Sequence, residues 1–204
     1  KFKFLRALAR FTDAHTLELK PVAGHSTVPR SLSARSFLIA TGSVLAPSPL
    51  PQLDGLNCLT SDTALKLTRL PKSIIVLGGG AVAVEFAQFF ARFGVRVTLV
   101  QRSPHILHEF DSDAGAVLEQ VFRREGITLH THTKLLDAKR IGTQKELTFT
   151  QEGQSVRVHA EDIFFALGRI PNIASLALDK VGVQVEYERI VTNSRMQTTA
   201  SHVY

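Results

Sequence analysis

Residues 74–100 read IIVLGGGAVAVEFAQFFARFGVRVTLV. Ile74 to Leu77 is a continuous, β-branched apolar run, the pattern of a parallel strand buried on both faces. Gly78-Gly79-Gly80 follows at once. Residues 81–93 have helical length, and Glu85, Gln88 and Arg92 form one narrow polar stripe on an otherwise apolar helix. Gly94 stands where a helix ends, and Val95 to Val100 supplies a second strand. The stretch predicts one βαβ unit.

Gly78-x-Gly80-x-x-Ala83 within that unit is the dinucleotide fingerprint. Gly78 permits the tight turn, Gly80 lets backbone approach a pyrophosphate, and Ala83 lets the helix pack on the strand. The helix start offers unpaired N–H groups and a partial positive charge to phosphate. At the end of the second strand a carboxylate would bond the ribose 2′-hydroxyl of NAD. Gln101-Arg102 stands there instead. No carboxylate repels a 2′-phosphate, Arg102 offers it a charge-assisted contact, and His108 is placed to assist. The reading favours NADP over NAD. Glu85 has two readings, a place facing the nicotinamide end of the cofactor or a counter-charge to the helix start.

Working outward, Asp111–Arg124 has helical spacing and Gly126 stops it, Ile127–His130 reads as a third strand, and residues 134–160 as a small antiparallel meander. Ile163–Leu167 is another buried strand, and Val181–Tyr204 reads as short strands. Upstream, the first forty residues read as a β-meander ending in a buried strand at Ser36–Ala40. Residues 44–56, with Pro47, Pro49 and Pro51, read as an extended, non-helical crossover. A short helix is expected over Thr63–Arg69, capped by Ser61 or Asp62.

The chain has 204 residues, 44% of them hydrophobic and 21% charged, which excludes global disorder. No apolar run approaches the ~20 residues of a membrane span, and the basic start KFKFLRALARF lacks the form of a secretory signal. The net charge is +6, but it is scattered, with two tyrosines and no tryptophan for base stacking; nucleic acid is not the expected partner. Cys58 has no second cysteine to pair with and reads as a passenger. The histidines show no metal-ligand spacing, and no metal is expected. A cytoplasmic location is expected.

Several stretches stand in one order: LIATGS (38–43), Asp54-Gly55-Leu56, Thr60-Ser61-Asp62, GGGAVAVE (78–85), VTLVQRS (97–103) and FALGRIPN (165–172). Over nearly its whole length the chain resembles the flavin-dependent pyridine nucleotide-disulfide oxidoreductases, relatives of dihydrolipoamide dehydrogenase, glutathione reductase and mercuric reductase. VTLVQRS looks most like the mercuric and glutathione reductase side. The resemblance implies an α/β, Rossmann-like three-layer FAD/NAD(P)-binding fold with a parallel sheet and an antiparallel β-meander. It implies FAD-binding segments over 1–52 and 165–204 and an NAD(P)H domain over 55–164. Thr41, Gly42 and Ser43 would lie near FAD, Gly168 near the nicotinamide and Arg169 near the flavin. Gly78, Gly79, Gly80, Val82, Ala83 and Glu85 would lie along NADPH, and Ala81 stands where many relatives have a tyrosine lid.

The family's flavin G-x-G-x-x-G, its C-x₄-C and its dimer domain are not in this sequence. The resemblance therefore implies a central portion of a longer, homodimeric enzyme, inactive alone. In that parent, hydride would pass from NAD(P)H to FAD and on to a disulfide or another acceptor. A non-catalytic NAD(P) sensor and a flavin-dependent NAD(P)H oxidase are the alternatives.

Overall fold

A computed structural model describes residues 2–24 and 28–204. The chain divides into two compact units, Lys1–Leu45 with Arg169–Tyr204 and Ala46–Gly168. The first unit opens with β1 (Ala7–Asp13), β2 (Thr16–Pro21) and β3 (Ser31–Ser33), an antiparallel sheet in the order β1-β2-β3. This is the expected meander. The stretch Ser36–Ala40 is not the expected buried strand. Phe37 makes one isolated bridge to Val203 and is buried, whereas Leu38 is 77% exposed. A run of adjacent apolar residues needs cover on both faces to bury completely, and here only alternate side chains turn inward. Strand β4 (Ser43–Leu45) follows.

The second unit carries β5 (Ser73–Leu77), β6 (Arg96–Val100), β7 (Thr128–His130), β8 (Thr133–Ile141), β9 (Gln144–Gln151), β10 (Gln154–Ala160) and β11 (Asp162–Phe165). Its helices are α1 (Ser61–Ala64), α2 (Ala81–Arg92) and α3 (Ser112–Arg124). A four-stranded parallel sheet runs in the order β11-β5-β6-β7, and β8, β9 and β10 form an antiparallel meander. Every residue of β5 is buried, as a strand covered on both faces requires.

The period of two along β5 builds three layers. Ile74 and Val76 join Ala83, Ala87 and Phe90 of α2 and Phe122 of α3 in one core. Ile75 and Leu77 join Ala138, Leu147, Phe149 and Ala160 of the meander in another. The parallel sheet is therefore sandwiched between helices and meander. The turns of the meander fall at Gly142 and Gly153, both at positive φ.

Two local expectations are corrected. Pro51–Leu56 forms a 3₁₀ turn inside the stretch read as non-helical. Proline is tolerated at a first helical position, where its missing N–H has no partner to lose, and Leu53 and Leu56, three apart, both bury. The helix expected over Thr63–Arg69 is the single turn α1, capped by Thr60 rather than Ser61 or Asp62. Thr60 Oγ1 accepts the Asp62 N–H at 3.2 Å, and Thr63 Oγ1 accepts the Thr60 N–H at 2.9 Å, a reciprocal cap.

A buried lysine paired with a half-buried aspartate closes the meander's side of this unit. Lys145, 3% exposed, donates to Asp162 Oδ1 at 2.5 Å and to the Asn57 carbonyl at 3.0 Å. The unit's first and last residues meet, with the Ala46 N–H donating to the Gly168 carbonyl at 3.0 Å.

The first unit resumes with β12 (Arg169–Pro171), which pairs antiparallel with β4, and with the small hairpin β13 (Val185–Glu186) and β14 (Arg189–Ile190). Phe11, Phe37, Leu176, Val183 and Val203 form its core. Among the described residues no helix is long and apolar enough to cross a membrane.

Candidate functional site

Strands β5 and β6 end side by side, and the chain turns over their C-terminal ends into α2. Gly78, at φ +113°, donates its N–H to the Val100 carbonyl at 3.0 Å. A Cβ there would stand 2.3 Å from the Ala166 carbonyl oxygen, beyond β11. The first fingerprint glycine is thus required twice, by its dihedral and by the neighbouring backbone. Ala83 is fully buried against the sheet.

Gly80 differs. It is the extended N-cap of α2 and offers no side chain to the first turn. A Cβ built on it would meet nothing within 4 Å. No side chain caps the start of α2, and an uncapped helix start leaves N–H groups available to an anion. Val82 and Glu85 are exposed on the same turns, and no ion pair reaches Glu85 among the described residues.

Gly79 is glycine for a reason outside the fingerprint. A Cβ on it would stand 2.8–3.0 Å from Cδ, Cγ and Nε2 of Gln101. Its carbonyl accepts the Leu107 N–H at 2.7 Å. The glycine loop, the end of β6 and the segment after it are one assembly.

Gln101 is buried at its centre, 6% exposed. Its N–H donates to the His130 carbonyl at 2.8 Å, and its own carbonyl accepts from Thr133 Oγ1 at 3.1 Å. The side-chain Oε1 accepts the Arg102 N–H at 3.0 Å, and Nε2 lies 3.5 Å from His108 Nδ1. Arg102 and His108 are exposed, and the Arg102 side chain has no ion pair among the described residues. The residues expected to read the ribose are thus brought together with the glycine loop.

Helix α3 braces the segment between them. Glu119 Oε1 accepts the Ile106 N–H at 3.2 Å, and a Cβ on Gly115 would stand 2.5 Å from the Ile106 carbonyl. Sequence reading missed Gly115. Its only signal was a glycine inside a helical pattern, which implies close backbone approach when it is tolerated there.

A second group lies in the first unit. Arg169 donates through Nε to Ser43 Oγ at 2.8 Å and through an Nη to the Ser43 carbonyl at 2.8 Å. Asn172 donates its backbone N–H to the Gly42 carbonyl at 3.0 Å and its side chain to the Thr41 carbonyl at 3.4 Å. Thr41, Gly42 and Ser43 are exposed and held by the strand that begins at Arg169. Asn172, last residue of the FALGRIPN stretch, was not singled out from sequence. Gly168, at φ +122°, belongs to the other unit, two residues past the Ala166 that abuts Gly78.

Cys58 has a half-buried thiol that donates to the Leu53 carbonyl at 3.7 Å. Burial pushes it up to about 11, the opposite of what a redox thiolate needs. Among the described residues no cluster of three or more His, Cys, Asp or Glu is arranged to hold a metal.

The family model for the pyridine nucleotide-disulphide oxidoreductases matches residues 2–204. The chain belongs to the pyridine nucleotide-disulphide oxidoreductase family. This family is FAD-dependent and uses NAD(P)H. The chain is 31% identical to the mitochondrial dihydrolipoyl dehydrogenase of Schizosaccharomyces pombe, over 100% of this chain and 40% of that protein. It is 35% identical to the mercuric reductase of Streptomyces lividans, over 100% of this chain and 42% of that protein. The HOCl-induced flavoprotein disulfide reductase RclA from Escherichia coli superimposes with a TM-score of 0.84 at 25% identity, over 97% of this chain and 43% of that one. The chain thus spans about two fifths of the length of these relatives. Its pyridine nucleotide-disulphide oxidoreductase relatives are oxidoreductases by name, and the three-layer α/β architecture agrees with the family.

Proposed function

We propose that this chain is the nucleotide-handling portion of a flavoprotein disulfide oxidoreductase, that residues 55–164 bind NADPH, and that residues 1–52 and 165–204 contribute to an FAD site. The observation that carries the reading is the conjunction at Gly80 and Arg102. The start of α2 carries no side-chain cap and has room at Gly80, and at the end of the adjacent strand Gln101, not a carboxylate, precedes Arg102, an exposed guanidinium with no ion pair among the described residues.

The residues fit the group. The N–H groups opening α2 would take the pyrophosphate, with Gly80 leaving room for its approach. Gln101 holds the start of the Arg102 backbone, and Arg102 would hold the 2′-phosphate by a charge-assisted contact. Glu85, one turn and a half into α2, would face the nicotinamide end. In the first unit, Thr41, Gly42 and Ser43 with Arg169 would contact FAD. When bound, NADPH and FAD supply the hydride-transfer chemistry, and the final acceptor would be a disulfide or another oxidant.

Calorimetric titration of the chain with NADPH and with NADH tests the reading. NADPH should bind the tighter. Failure of both nucleotides to bind would overturn it, and tighter NADH would overturn the choice of nucleotide.

A further inference from the structure

We infer that Glu119 is a positioning residue for the nucleotide loop. With Gly115 it fixes the Ile106–Leu107 peptide, which in turn fixes the Gly79–Gly80 peptide and the direction of the Gly80 N–H. This rests on the proposed nucleotide site and adds to it the part that preorganises its phosphate-binding loop.

The loop has little of its own to hold it. A peptide between two glycines has no Cβ on either side, so its plane turns over without a side chain in the way. A turned plane would set a carbonyl where an N–H stands. The bond that selects one orientation runs from the Leu107 N–H to the Gly79 carbonyl at 2.7 Å. The described chain has no cis peptide bond, and in a trans peptide the C=O and the N–H point to opposite sides. With the Gly79 carbonyl turned to Leu107, the Gly80 N–H points away from it. Among the described residues no atom accepts that N–H.

Leu107 stands in left-handed backbone, φ +53°. That conformation is unfavourable for a residue other than glycine and persists where the surroundings over-determine it. Helix α3 supplies the surroundings. The Ile106 side chain is fully buried in the core that α3 shares. The Ile106 N–H donates to Glu119 Oε1 at 3.2 Å, and its carbonyl lies so close to α3 that a Cβ on Gly115 would stand 2.5 Å from the oxygen. A carbonyl facing α3 turns the Leu107 N–H, across the same trans peptide, to the opposite side, where Gly79 lies. Two peptide planes in series thus carry one orientation from α3 to Gly80. Their dipoles align, and hydrogen bonds in series polarise one another.

Glu119 acts here as an acceptor. Its second oxygen faces Arg123 at 3.3 Å, and only Oε1 bears on Ile106. A carboxamide oxygen would serve equally, which separates this role from one that needs the charge.

The test measures Kd for NADPH and NADH in the wild-type chain, in Glu119→Leu, which removes the acceptor, and in Glu119→Gln, which keeps it. The two nucleotides share their pyrophosphate. Glu119→Leu should therefore weaken both by one factor, about 3- to 10-fold, the scale of one hydrogen bond. Glu119→Gln should bind as the wild type does, since it gives up only the pairing with the exposed Arg123 side chain, and such surface pairs contribute little. Coupling is reciprocal. Saturating NADPH should slow amide exchange at Leu107 of the wild-type chain by about the same factor, an NMR readout that stands even where Glu119→Leu fails to fold. Unchanged affinities in Glu119→Leu, whatever its urea midpoint, would make Glu119 a brace for the fold alone and overturn the inference. So would unequal weakening of the two nucleotides, Glu119→Gln weakened as far as Glu119→Leu, or a Leu107 exchange rate indifferent to NADPH. Each of these leaves the nucleotide reading standing. Failure of both nucleotides to bind the wild-type chain would overturn both.

Discussion

A Cβ on Gly79 would lie 2.8 Å from Cδ of Gln101, so the loop's middle glycine and the residue that closes β6 share one space. Gly79→Ala forces the buried carboxamide aside and strains the bond it makes to Arg102. The expected cost is ~1–3 kcal/mol in urea unfolding, the usual range for overpacking. Gln101→Ala on the same background should recover most of it, a coupling that a double-mutant cycle reads directly. Gly78→Ala should show no such rescue, because the obstacle is the Ala166 carbonyl at 2.3 Å and the dihedral is left-handed.

Arg102→Ala should weaken NADPH about 10- to 100-fold, the range for a charged hydrogen bond of ~1.5–3 kcal/mol. NADH should change little, and the gap between the two nucleotides should shrink as salt rises. Replacing Gln101 by Glu should move preference toward NADH, since a carboxylate there repels the 2′-phosphate. Equal weakening of both nucleotides on losing Arg102 would assign it to the shared part of the ligand or to the fold.

Cys58 should be inert. With its thiol pushed up to about 11 by burial, only about one molecule in a thousand is thiolate at pH 8, and the thiolate is the reacting form. Labelling with a disulfide reagent should be slow in the native chain and fast in denaturant. Cys58→Ala should leave nucleotide affinity unchanged. Rapid native labelling at pH 7 would contradict the burial.

Acid should loosen the second unit. The Arg69 guanidinium, then the Lys72 N–H, hold the Glu161 carboxyl below its ordinary value, and Arg92 does the same for Glu125. A carboxylate whose folded value is depressed contributes stability above its unfolded value, about 4.3, and loses it as pH falls through the folded one. Urea midpoints should therefore be flat from pH 7 to 5 and drop below that. Glu161→Gln should flatten part of the drop. Because these pairs are exposed, the effect should be modest and should shrink in salt.

The parallel sheet was legible because several signals agreed. Ile74–Leu77 has the composition of a doubly covered strand, three glycines follow it, and Gly94 closes the helix at φ +81°. The meander was legible from its glycine turns. Pro51–Leu56 was not, because a proline-rich stretch reads as extended unless the spacing of Leu53 and Leu56 is given weight. Lys145 was equally hidden. Its burial depends on Asp162 and the Asn57 carbonyl, partners that only tertiary structure brings near. At the candidate site, Gly80, Ala83 and the turn at Gly78 carried their reasons in the local pattern, while the Ala166 carbonyl that also excludes a side chain at Gly78 did not. The reason for Gly79 lies in Gln101 and that for Gly115 in the Ile106 carbonyl, and no local pattern carries information about a neighbour so distant along the chain.

The hydrogen bond from Ala46 to Gly168 makes the inserted unit a closed parcel whose two ends lie within one bond of each other. A segment with adjoining ends can be lifted out, rejoined by a short linker and reopened elsewhere. Circular permutation at the exposed turn of Gly142 should therefore preserve the layered core. The same geometry would let recombination exchange one such unit for another without redrawing the chain on either side.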